Sequence, residues 1–343
     1  MNHRGKIVFF FRKKRSSNHS IEKYFFNVVK FLPSQVDYIF IYMPFFGDNI
    51  FSKFINGIYC KLNQGSVNHI TGDVTYISPF LTKSRTITTI LDCTGFKYYT
   101  GFKLFIYKLI WFYFPIKYSK FITAISNNTK IEIEKFIPYS KDKIIVNYIA
   151  NEKIYKPKKK EFYETKPVIL QIGTSENKNI YRLIEALNNV NCKLVIIGEM
   201  NPHILEKLNN SNIDYTSLGT NLQESEVVMQ YEKCDIVSFI STSEGFGMPI
   251  IEANAIGRPL VTSSISSMPE IAGDSALLVN PYSIDEIRNA FLQIINDSEL
   301  RDNLINKGFE NIKRFNIESI TNIYLNLYYS ISNFQDFKLH KKN

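Results

Sequence analysis

The chain of 343 residues contains only four cysteines, and they lie far apart in the sequence. Metal sites and redox motifs place cysteines a few residues from one another, so this spacing excludes both kinds of site. The five histidines form no cluster of metal-ligand spacing either, and no Asp-x-Asp signature is present. We therefore expect no bound metal ion, and we expect the thiols to be reduced packing groups of a cytosolic protein at Cys60, Cys93, Cys192 and Cys234.

Long hydrophobic runs are also missing. Uncharged stretches, of which residues 62–72 and 259–269 are examples, are too short and too polar to cross a bilayer. The N-terminal apolar run is brief, precedes four basic residues and shows no cleavage site, which favours a first β-strand over a signal peptide. The sequence therefore predicts no transmembrane helix.

Acidic residues are scarce in the first half of the chain. Residues 1–160 carry 26 Lys and Arg against 9 Asp and Glu, a net charge of +17, whereas residues 161–343 carry 15 against 23, a net charge of −8. No helix-turn-helix, zinc-finger or RNP motif accompanies the basic half, which argues against nucleic acid as the partner. An anionic membrane surface or a phosphorylated ligand fits the charge better. A Gly-x-Gly-x-x-Gly motif after a strand is also absent, so a dinucleotide-dependent dehydrogenase is disfavoured.

Apolar, strand-like runs alternate with helical patterns along both halves of the chain. This alternation is typical of largely parallel sheets covered by helices. A charged, proline-punctuated stretch at residues 151–167 interrupts it. We predict an N-terminal lobe at residues 1–155, a linker at 156–166, a second lobe at 167–316 and a helical C-terminal segment at 317–343.

Glycine and proline are concentrated in one stretch, STSEGFGMPIIEANAIGRPLV, which follows a strand-like run at residues 235–240. Gly245 and Gly247 allow a sharp turn and a close approach of the backbone to a ligand, and Pro249 suits the first turn of a helix. Gly257 favours the end of that helix. The pattern predicts a strand, a Gly-rich loop and a helix, and such units bind ligands at the carboxyl end of the strand, beside the helix N-terminus.

The segment 244–281 resembles the nucleotide-sugar site of glycosyltransferase family 4, in which two glutamates are separated by seven residues. Here they are Glu244 and Glu252, and the glycines, the prolines and the SSMPE that follows occur in the family's order. The glutamate pair alone would be weak evidence, since many helical proteins contain one by accident. The resemblance implies the α/β GT-B fold, with two Rossmann-like, doubly wound lobes facing a central cleft and a last helix that crosses back to the first lobe.

The resemblance also implies distinct roles for the two glutamates. A carboxylate can accept hydrogen bonds from two neighbouring hydroxyls, which is what a ribose and a hexose offer. By resemblance, Glu252 holds the nucleotide ribose, and Glu244 faces the donor sugar together with the amides of Gly245, Phe246 and Gly247. Neither is expected to act as a nucleophile, so catalysis would be electrostatic and positional.

A second loop, QIGTSENKNIYRLIEAL, has the features of a phosphate site. Gly173 ends a strand, and Lys178 and Asn179 stand at the start of a helix, where a positive charge and the helix N-terminus favour an anion. By resemblance this loop grips the diphosphate, and Thr174 stands where the family often has an arginine. The alternative is that Lys178 is an exposed helix-start lysine. The missing charge could come from the basic loop at residues 12–15, which could equally be a solvated loop.

The first lobe matches the family less well. In TILD, Leu91 stands where many relatives have a histidine, and only Asp92 of the acceptor-side motif remains. His69 follows a strand-like run and precedes a glycine turn, so it could supply the imidazole from a neighbouring loop, although a single histidine near a strand end can as well be structural.

The sequence therefore indicates a retaining, metal-independent glycosyltransferase that needs no cofactor besides a nucleoside diphosphate sugar as donor. Its acceptor would be a glycan or a lipid-linked glycan of the bacterial surface. The alternatives are a GT-B-like epimerase or phosphorylase and a catalytically silent nucleotide-binding scaffold. Base, sugar, acceptor and oligomeric state cannot be read from the sequence.

Aromatic residues and lysines are interleaved at residues 98–121. Aromatic rings and snorkelling lysine stems suit the headgroup level of a membrane. The alternative is a core helix with solvated lysines. Because the first half is so basic, we expect a cytoplasmic protein that associates with the inner, anionic face of the membrane.

Overall fold

The computed structural model describes residues 3–14, 20–93, 95–141 and 143–332. It consists of two compact units. The first contains the residues up to Ala150 together with the chain from Ile317 onward, and the second contains Asn151–Asn316. The basic-loop candidate Arg15 lies outside the described residues.

The first unit is built on a parallel six-stranded sheet of order β2-β1-β3-β4-β5-β6. Its strands are β1 His3–Phe11, β2 Asp37–Tyr42, β3 Gly65–Ile70, β4 Thr86–Ile90, β5 Phe121–Ala124 and β6 Ile144–Val146. Its helices are α1 Ser20–Lys30, α2 Ile50–Leu62, α3 Gly95–Tyr98, α4 Gly101–Lys108, α5 Phe114–Tyr118 and α6 Asn127–Phe136. A 3-10 segment lies at Thr75–Phe80 and a π-helical turn at Leu109–Tyr113.

The side chains of β1 alternate between two cores. Phe9 and Phe11 pack in a cluster with Phe25 of α1, whereas Val8 and Phe10 pack on the other side of the sheet. Successive side chains of a strand point to opposite faces, so a strand covered on both faces is apolar throughout. This explains the continuous apolar run near the N-terminus.

The second unit repeats this architecture with the parallel sheet order β12-β11-β10-β7-β8-β9. Its strands are β7 Val168–Ile172, β8 Lys193–Ile197, β9 Asp214–Ser217, β10 Ile236–Phe239, β11 Leu260–Ser263 and β12 Leu277–Val279. Its helices are α7 Ile180–Leu187, α8 Pro202–Asn209, α9 Glu224–Lys233, α10 Met248–Ile256, α11 Met268–Ala272, α12 Ile284–Asn296 and α13 Ser298–Asn311.

One further helix, α14 Ile317–Ile331, belongs to the first unit. Tyr324 and Tyr328 of this helix are fully buried in the same cluster as Phe9. The hydroxyl of Tyr24 on α1 lies 3.5 Å from that of Tyr324 and donates to the carbonyl of Tyr148 at 3.1 Å. The core of the first unit is therefore completed by residues from the far end of the described chain.

The stretch predicted to be a linker, residues 156–166, packs instead on the second unit. The amide of Lys158 donates to the carbonyl of Ile256 at 3.0 Å. The fully buried carboxylate of Asp235 accepts the amides of Tyr163, at 3.1 Å, and Val168, at 2.8 Å, and pairs with the ammonium of Lys160. The charges and prolines that indicated a linker belong to a strap that neutralises a buried acid.

All four cysteines are buried in this fold. Burial raises the pKa of the Cys192 thiol to about 11, which keeps it protonated at neutral pH. Within the part of the chain that the structure describes, every helix is too short or too polar to cross a bilayer.

We predict that Asp235→Ala lowers the free energy of unfolding of the second unit by about 3 kcal/mol, because it leaves buried amides and an ammonium without their acceptor. Asp214→Ala is the matched control, since the Asp214 carboxylate is 46% exposed and pairs with Lys166 at 2.8 Å. Exposed pairs contribute about 0.5 kcal/mol. Urea denaturation of both variants provides the comparison, and equal losses would contradict a buried strap.

Candidate functional site

The Gly-rich stretch forms the predicted strand, loop and helix. Strand β10 is buried along its length, and Gly247 begins α10 with a backbone φ of 119°, which residues with a side chain rarely adopt. Pro249 lies in the first turn, and Gly257 ends the helix with a φ of 82°. A side chain at Gly257 would meet the ring of Phe309 at 2.6 Å. The two terminal glycines thus satisfy steric requirements of the fold.

Lys178 and Glu244 form an ion pair at the carboxyl edge of the sheet. The ammonium of Lys178 lies 2.7 Å from the Glu244 carboxylate, and the side-chain amide of Asn177 donates to the same oxygen at 3.1 Å. Strands β7 and β10 are neighbours, so the loops that follow them meet at one edge. Both charged side chains remain partly exposed, at 21% and 17%, which leaves them open to a ligand.

The loop that carries Glu244 is held in place by two serines. The amide of Glu244 donates to the Ser266 hydroxyl at 3.1 Å, and its carbonyl accepts from Ser266 at 2.9 Å and from Ser267 at 3.0 Å. Ser267 also donates to the carbonyl of Phe246 at 2.6 Å. Ser266 has a left-handed backbone, with a φ of 61°. These contacts fix the backbone between β10 and α10 from the neighbouring loop after β11.

Three residues of the predicted phosphate loop have structural contacts. The amide of Gly173 donates to the carbonyl of Ile197 at 2.7 Å, and the Thr174 hydroxyl donates to the carbonyl of Glu199 at 2.6 Å. Asn179 is buried, and its side-chain amide donates to the carbonyls of Ile240 and Pro281. The Asn179 side chain ties α7 to two other loops, whereas the Lys178 side chain stays partly exposed.

Glu252 lies one turn into α10 and is the second glutamate of the motif. It accepts a hydrogen bond from the hydroxyl of Tyr231, and Tyr155 also bonds it. Desolvation raises the pKa of Glu252 to about 6, although the bonds from Tyr231 and Tyr155 oppose this rise. Burial raises the pKa of both tyrosines, so both phenols remain protonated donors. The Glu252 carboxylate is therefore oriented before any ligand arrives.

Of the two roles left open for His69, an acceptor-side group or a structural residue, its surroundings favour the structural one. The ring is fully buried in the first unit, with Nδ1 2.7 Å from the Tyr328 hydroxyl and Nε2 2.8 Å from that of Thr89. Burial lowers the pKa of His69 to about 3, so the ring is neutral. Asp92, by contrast, is exposed in the loop after β4.

Arg12, the one arginine of the basic loop that the structure describes, is already paired. Arg12 pairs with Glu22 at 3.2 Å and with Asp73 at 2.5 Å. The ammonium groups of Lys13 and Lys14 lie over aromatic rings, those of Phe46 and Tyr42. Two carboxylates already balance the Arg12 charge, so the structure does not support the idea that Arg12 replaces the charge missing at Thr174.

Sequence reasoning missed four residues that shape the site: Asn177, which bonds Glu244; Ser266, which holds its loop; and Tyr155 and Tyr231, which orient Glu252. Tyr155 and Tyr231 come from segments far from the motif, and no local pattern marks them, whereas Ser266 is the first residue of the SSMPE in that motif. Asn177 was within reach, because it stands beside Lys178.

Chemically, the edge of the second unit offers an ammonium, a carboxylate and an amide in one cluster, with a second, oriented carboxylate on the adjoining helix. Such groups can bind a phosphate and the hydroxyls of sugars. Among the described residues, no group of three His, Cys, Asp or Glu side chains is placed to hold a metal ion.

The chain resembles characterised proteins in sequence. Residues 152–311 match the family of glycosyl transferases group 1. O-antigen chain mannosyltransferase B of Escherichia coli is 28% identical over 235 residues, which cover 61% of this chain and 60% of that protein. N-acetyl-alpha-D-glucosaminyl L-malate synthase of Bacillus anthracis is 25% identical over 236 residues, which cover 64% of this chain and 61% of that protein. The matches thus span about three fifths of either relative.

Solved structures resemble the chain over nearly its whole length. Anabaena HepE in complex with UDP-glucose has a TM-score of 0.72 at 13% identity, covering 94% of this chain and 99% of that one. WaaG, a glycosyltransferase involved in lipopolysaccharide biosynthesis, has a TM-score of 0.69 at 14% identity, with 94% and 99% covered. At such low sequence identity, these structural likenesses show the fold alone. They confirm the predicted α/β, GT-B fold.

We predict that His69→Leu destabilises the protein by about 2 kcal/mol at pH 7, because it leaves two buried hydroxyls without their partner. Below about pH 6.5 the unfolded chain binds a proton that folded His69 rejects down to about pH 3, so wild-type stability falls with pH by up to about 1.4 kcal/mol per unit. The His69→Leu variant has no imidazole at this position to titrate. The difference in free energy of unfolding between the wild type and the variant should therefore shrink by about 2 kcal/mol at pH 5.

Urea denaturation at pH 7 and pH 5 measures both values. Tyr328→Phe is the control, because it removes one hydrogen bond of the ring and retains the histidine, so its gap to the wild type should persist at pH 5. A His69→Leu variant with wild-type stability at pH 7 would show that the ring does not hold this core.

Proposed function

We propose, from the premise that residues 152–311 form a glycosyl transferase domain of group 1, that the chain transfers a sugar from a nucleoside diphosphate sugar to an acceptor hydroxyl. The transfer retains the anomeric configuration and needs no metal ion. The acceptor is a growing bacterial surface polysaccharide or a lipid-linked glycan. The observation that carries the proposal is the cluster of Lys178, Asn177 and Glu244 at the carboxyl edge of the second sheet.

Lys178 supports departure of the nucleoside diphosphate in this reaction. The diphosphate gains negative charge as the glycosidic bond breaks, and a fixed ammonium stabilises that charge more in the transition state than in the bound substrate. The glutamate beside it balances the lysine until the donor binds, with 2.7 Å between the two groups. Lys178 is thereby held in place at the site before the reaction begins.

Glu244 positions the donor sugar through hydrogen bonds to its hydroxyls. Its ion pair with Lys178 disfavours a role as nucleophile, since a carboxylate that shares its charge with an ammonium is a weaker one. The loop around Gly245 and Phe246 is held in place by Ser267, which donates to the carbonyls of Glu244 and Phe246. The contribution of this loop is therefore one of position.

Glu252 holds the ribose of the donor. Its carboxylate is kept in one orientation by Tyr231, and the ionised form accepts hydroxyl donors best. The donor's sugar is a hexose, and the names of several relatives point to mannose: O-antigen chain mannosyltransferase B and the serotype-specific mannosyltransferase WbdA, both of Escherichia coli. HepE was solved with UDP-glucose, so a glucose donor is the second candidate.

The first unit associates with the inner face of an anionic membrane. Within the aromatic and basic segment at residues 98–121, Phe102 and Phe105 of α4 are 77% and 59% exposed, and Lys103 lies between them on the surface. Phe112 and Ile116 are buried, and the large apolar side chains that are exposed lie at the beginning of the segment. The location is cytoplasmic and peripheral, where a soluble donor and a membrane-bound acceptor meet.

The function is tested by turnover with GDP-mannose and UDP-glucose, first ranked by thermal shift, with a hydroxyl acceptor from a bacterial glycan. Free nucleotide and a new glycoside in equal amounts, unaffected by EDTA, are expected. An epimerase would yield an altered nucleotide sugar, a phosphorylase would need phosphate, and binding without product would leave a silent scaffold.

Lys178→Ala should raise the activation free energy of sugar transfer by about 2.7–4 kcal/mol, whereas the surface variant Lys207→Ala should keep the wild-type rate.

We predict that affinity for the nucleotide sugar falls as the pH drops through about 6, because protonation weakens Glu252 as an acceptor. Glu252→Gln should bind more weakly at pH 7.5 and show no change between pH 7.5 and pH 5. Calorimetric titration measures this best with the intact sugar nucleotide, since the terminal phosphate of a free diphosphate titrates in the same range. A wild-type pH profile in Glu252→Gln would remove Glu252 from the site.

A further inference from the structure

Helix α2 presents large apolar side chains to solvent. Seven of its residues are exposed, and five of these are aliphatic or phenylalanine: Ile50 at 76%, Phe51 at 71%, Phe54 at 53%, Ile58 at 40% and Leu62 at 67%. The other two are Tyr59 and Lys61. Surface helices of globular proteins place such residues on the core side, so this helix has the opposite arrangement.

The exposed residues form one continuous face, here called the α2 face. With about 100° of rotation per residue, Phe51, Phe54, Ile58 and Leu62 fall within an arc of about 80°. The opposite side of the helix attaches to the first unit through small or polar residues, Asn56, Gly57 and Cys60, which are buried. A side chain at Gly57 would meet the ring of Phe80 at 2.4 Å.

The surroundings of this face are basic and aromatic. The helix contains two lysines, Lys53 and Lys61, and no acidic residue. Just before it in the sequence, Phe45 and Phe46 are 45% and 49% exposed, and the Lys13 ammonium lies 4.8 Å from the centre of the Phe46 ring. These features match helices that lie in a membrane interface, which combine apolar anchors, aromatic rings and lysines.

The polar groups of the α2 face favour a bilayer over a protein partner. A specific protein interface carries about one hydrogen bond per 100–200 Å². The exposed polar groups of this helix are a phenol and an ammonium, at Tyr59 and Lys61. They offer a protein partner few hydrogen bonds that would fix its position on the helix. An anionic bilayer needs no register, and it attracts the excess positive charge of residues 1–160.

We propose that the α2 face inserts into the headgroup region of an anionic bilayer and is the principal anchor of the first unit. The inference rests on the proposed membrane association and adds the element responsible for it. The exposed start of α4 then contributes a second, smaller contact. Burying four large side chains gives an attraction that salt does not screen, in addition to the charge attraction that salt weakens.

The test compares three variants in co-sedimentation with vesicles of equal parts phosphatidylglycerol and phosphatidylcholine. The α2 variant is Phe51→Gln, Ile58→Gln and Leu62→Gln. It keeps Phe54, because the Phe54 ring also contacts that of Phe80, with 5.7 Å between the ring centres. The α4 variant is Phe102→Gln and Phe105→Gln. The control is Ile131→Gln, Leu205→Gln and Leu278→Gln, which changes exposed apolar residues of other elements. The α2 variant should lose about tenfold or more in affinity, the α4 variant less, and the control nothing.

A fluorescent label reports insertion directly. All four native cysteines are buried, so an environment-sensitive dye reacts selectively at Ile58→Cys or, as the control, at Ile131→Cys. On vesicle binding the emission at position 58 should shift to the blue and be quenched by nitroxide lipids, whereas position 131 should be unchanged. A blue shift that grows with protein concentration in the absence of lipid would identify a second copy as the occupant and overturn the proposal.

The outcomes separate the two levels of inference. If the wild type binds vesicles and the α2 variant binds equally well, the α2 proposal fails and membrane association stands. If the wild type binds no vesicle at low salt, both fail, while the transfer reaction is still decided by the turnover assay. All variants should keep wild-type turnover on an acceptor free of lipid, because no substituted residue belongs to the candidate site.

Discussion

The candidate site depends on the adjacency of strands β7 and β10 in the second sheet. Ile236 of β10 pairs with Ile169 of β7, so the loops after both strands emerge side by side. This adjacency places Lys178 within 2.7 Å of a carboxylate 66 positions away in the sequence. It also lets Asn179 reach the carbonyl of Ile240 at 3.2 Å. A shift of the register by one residue would turn the side chains of the shifted strand to the other face of the sheet.

Polar contacts within the second unit set the state in which the site awaits its ligand. The charges of Lys178 and Glu244 balance each other, and Glu252 is oriented by Tyr231. A site organised in this way needs little rearrangement when charge develops, which is how electrostatic catalysis lowers a barrier. The rigidity comes from Ser266 and Ser267, whose hydroxyls tie the loop to its neighbour.

Features that depend on local sequence could be predicted well. Gly247, Pro249 and Gly257 act through backbone geometry that is the same in any protein, so the boundaries of α10 followed from the sequence. Burial could not be predicted, because it depends on distant segments. His69 was undecided for this reason, since its partner Tyr328 lies 259 positions away.

The contacts of the charged stretch before β7 could not be predicted for the same reason, since the Asp235 carboxylate that accepts the Tyr163 amide lies 72 positions further along the chain. Helix α2 escaped notice because an amphipathic pattern shows that two faces differ and not which one turns inward. Small residues such as Gly57 on the buried side were the available signal.

The origin of α14 has a consequence for synthesis on the ribosome. The second unit is one unbroken segment, whereas the first takes its last helix from beyond residue 316. Domains fold as units while the chain emerges, so the second unit can complete its core while the first still lacks Tyr324 and Tyr328. Until α14 has been synthesised, Phe9 and His69 are not covered by its tyrosines. The nascent first unit then exposes aromatic surface that a chaperone could recognise. The unit that carries the candidate site can thus be complete before the unit that begins the chain.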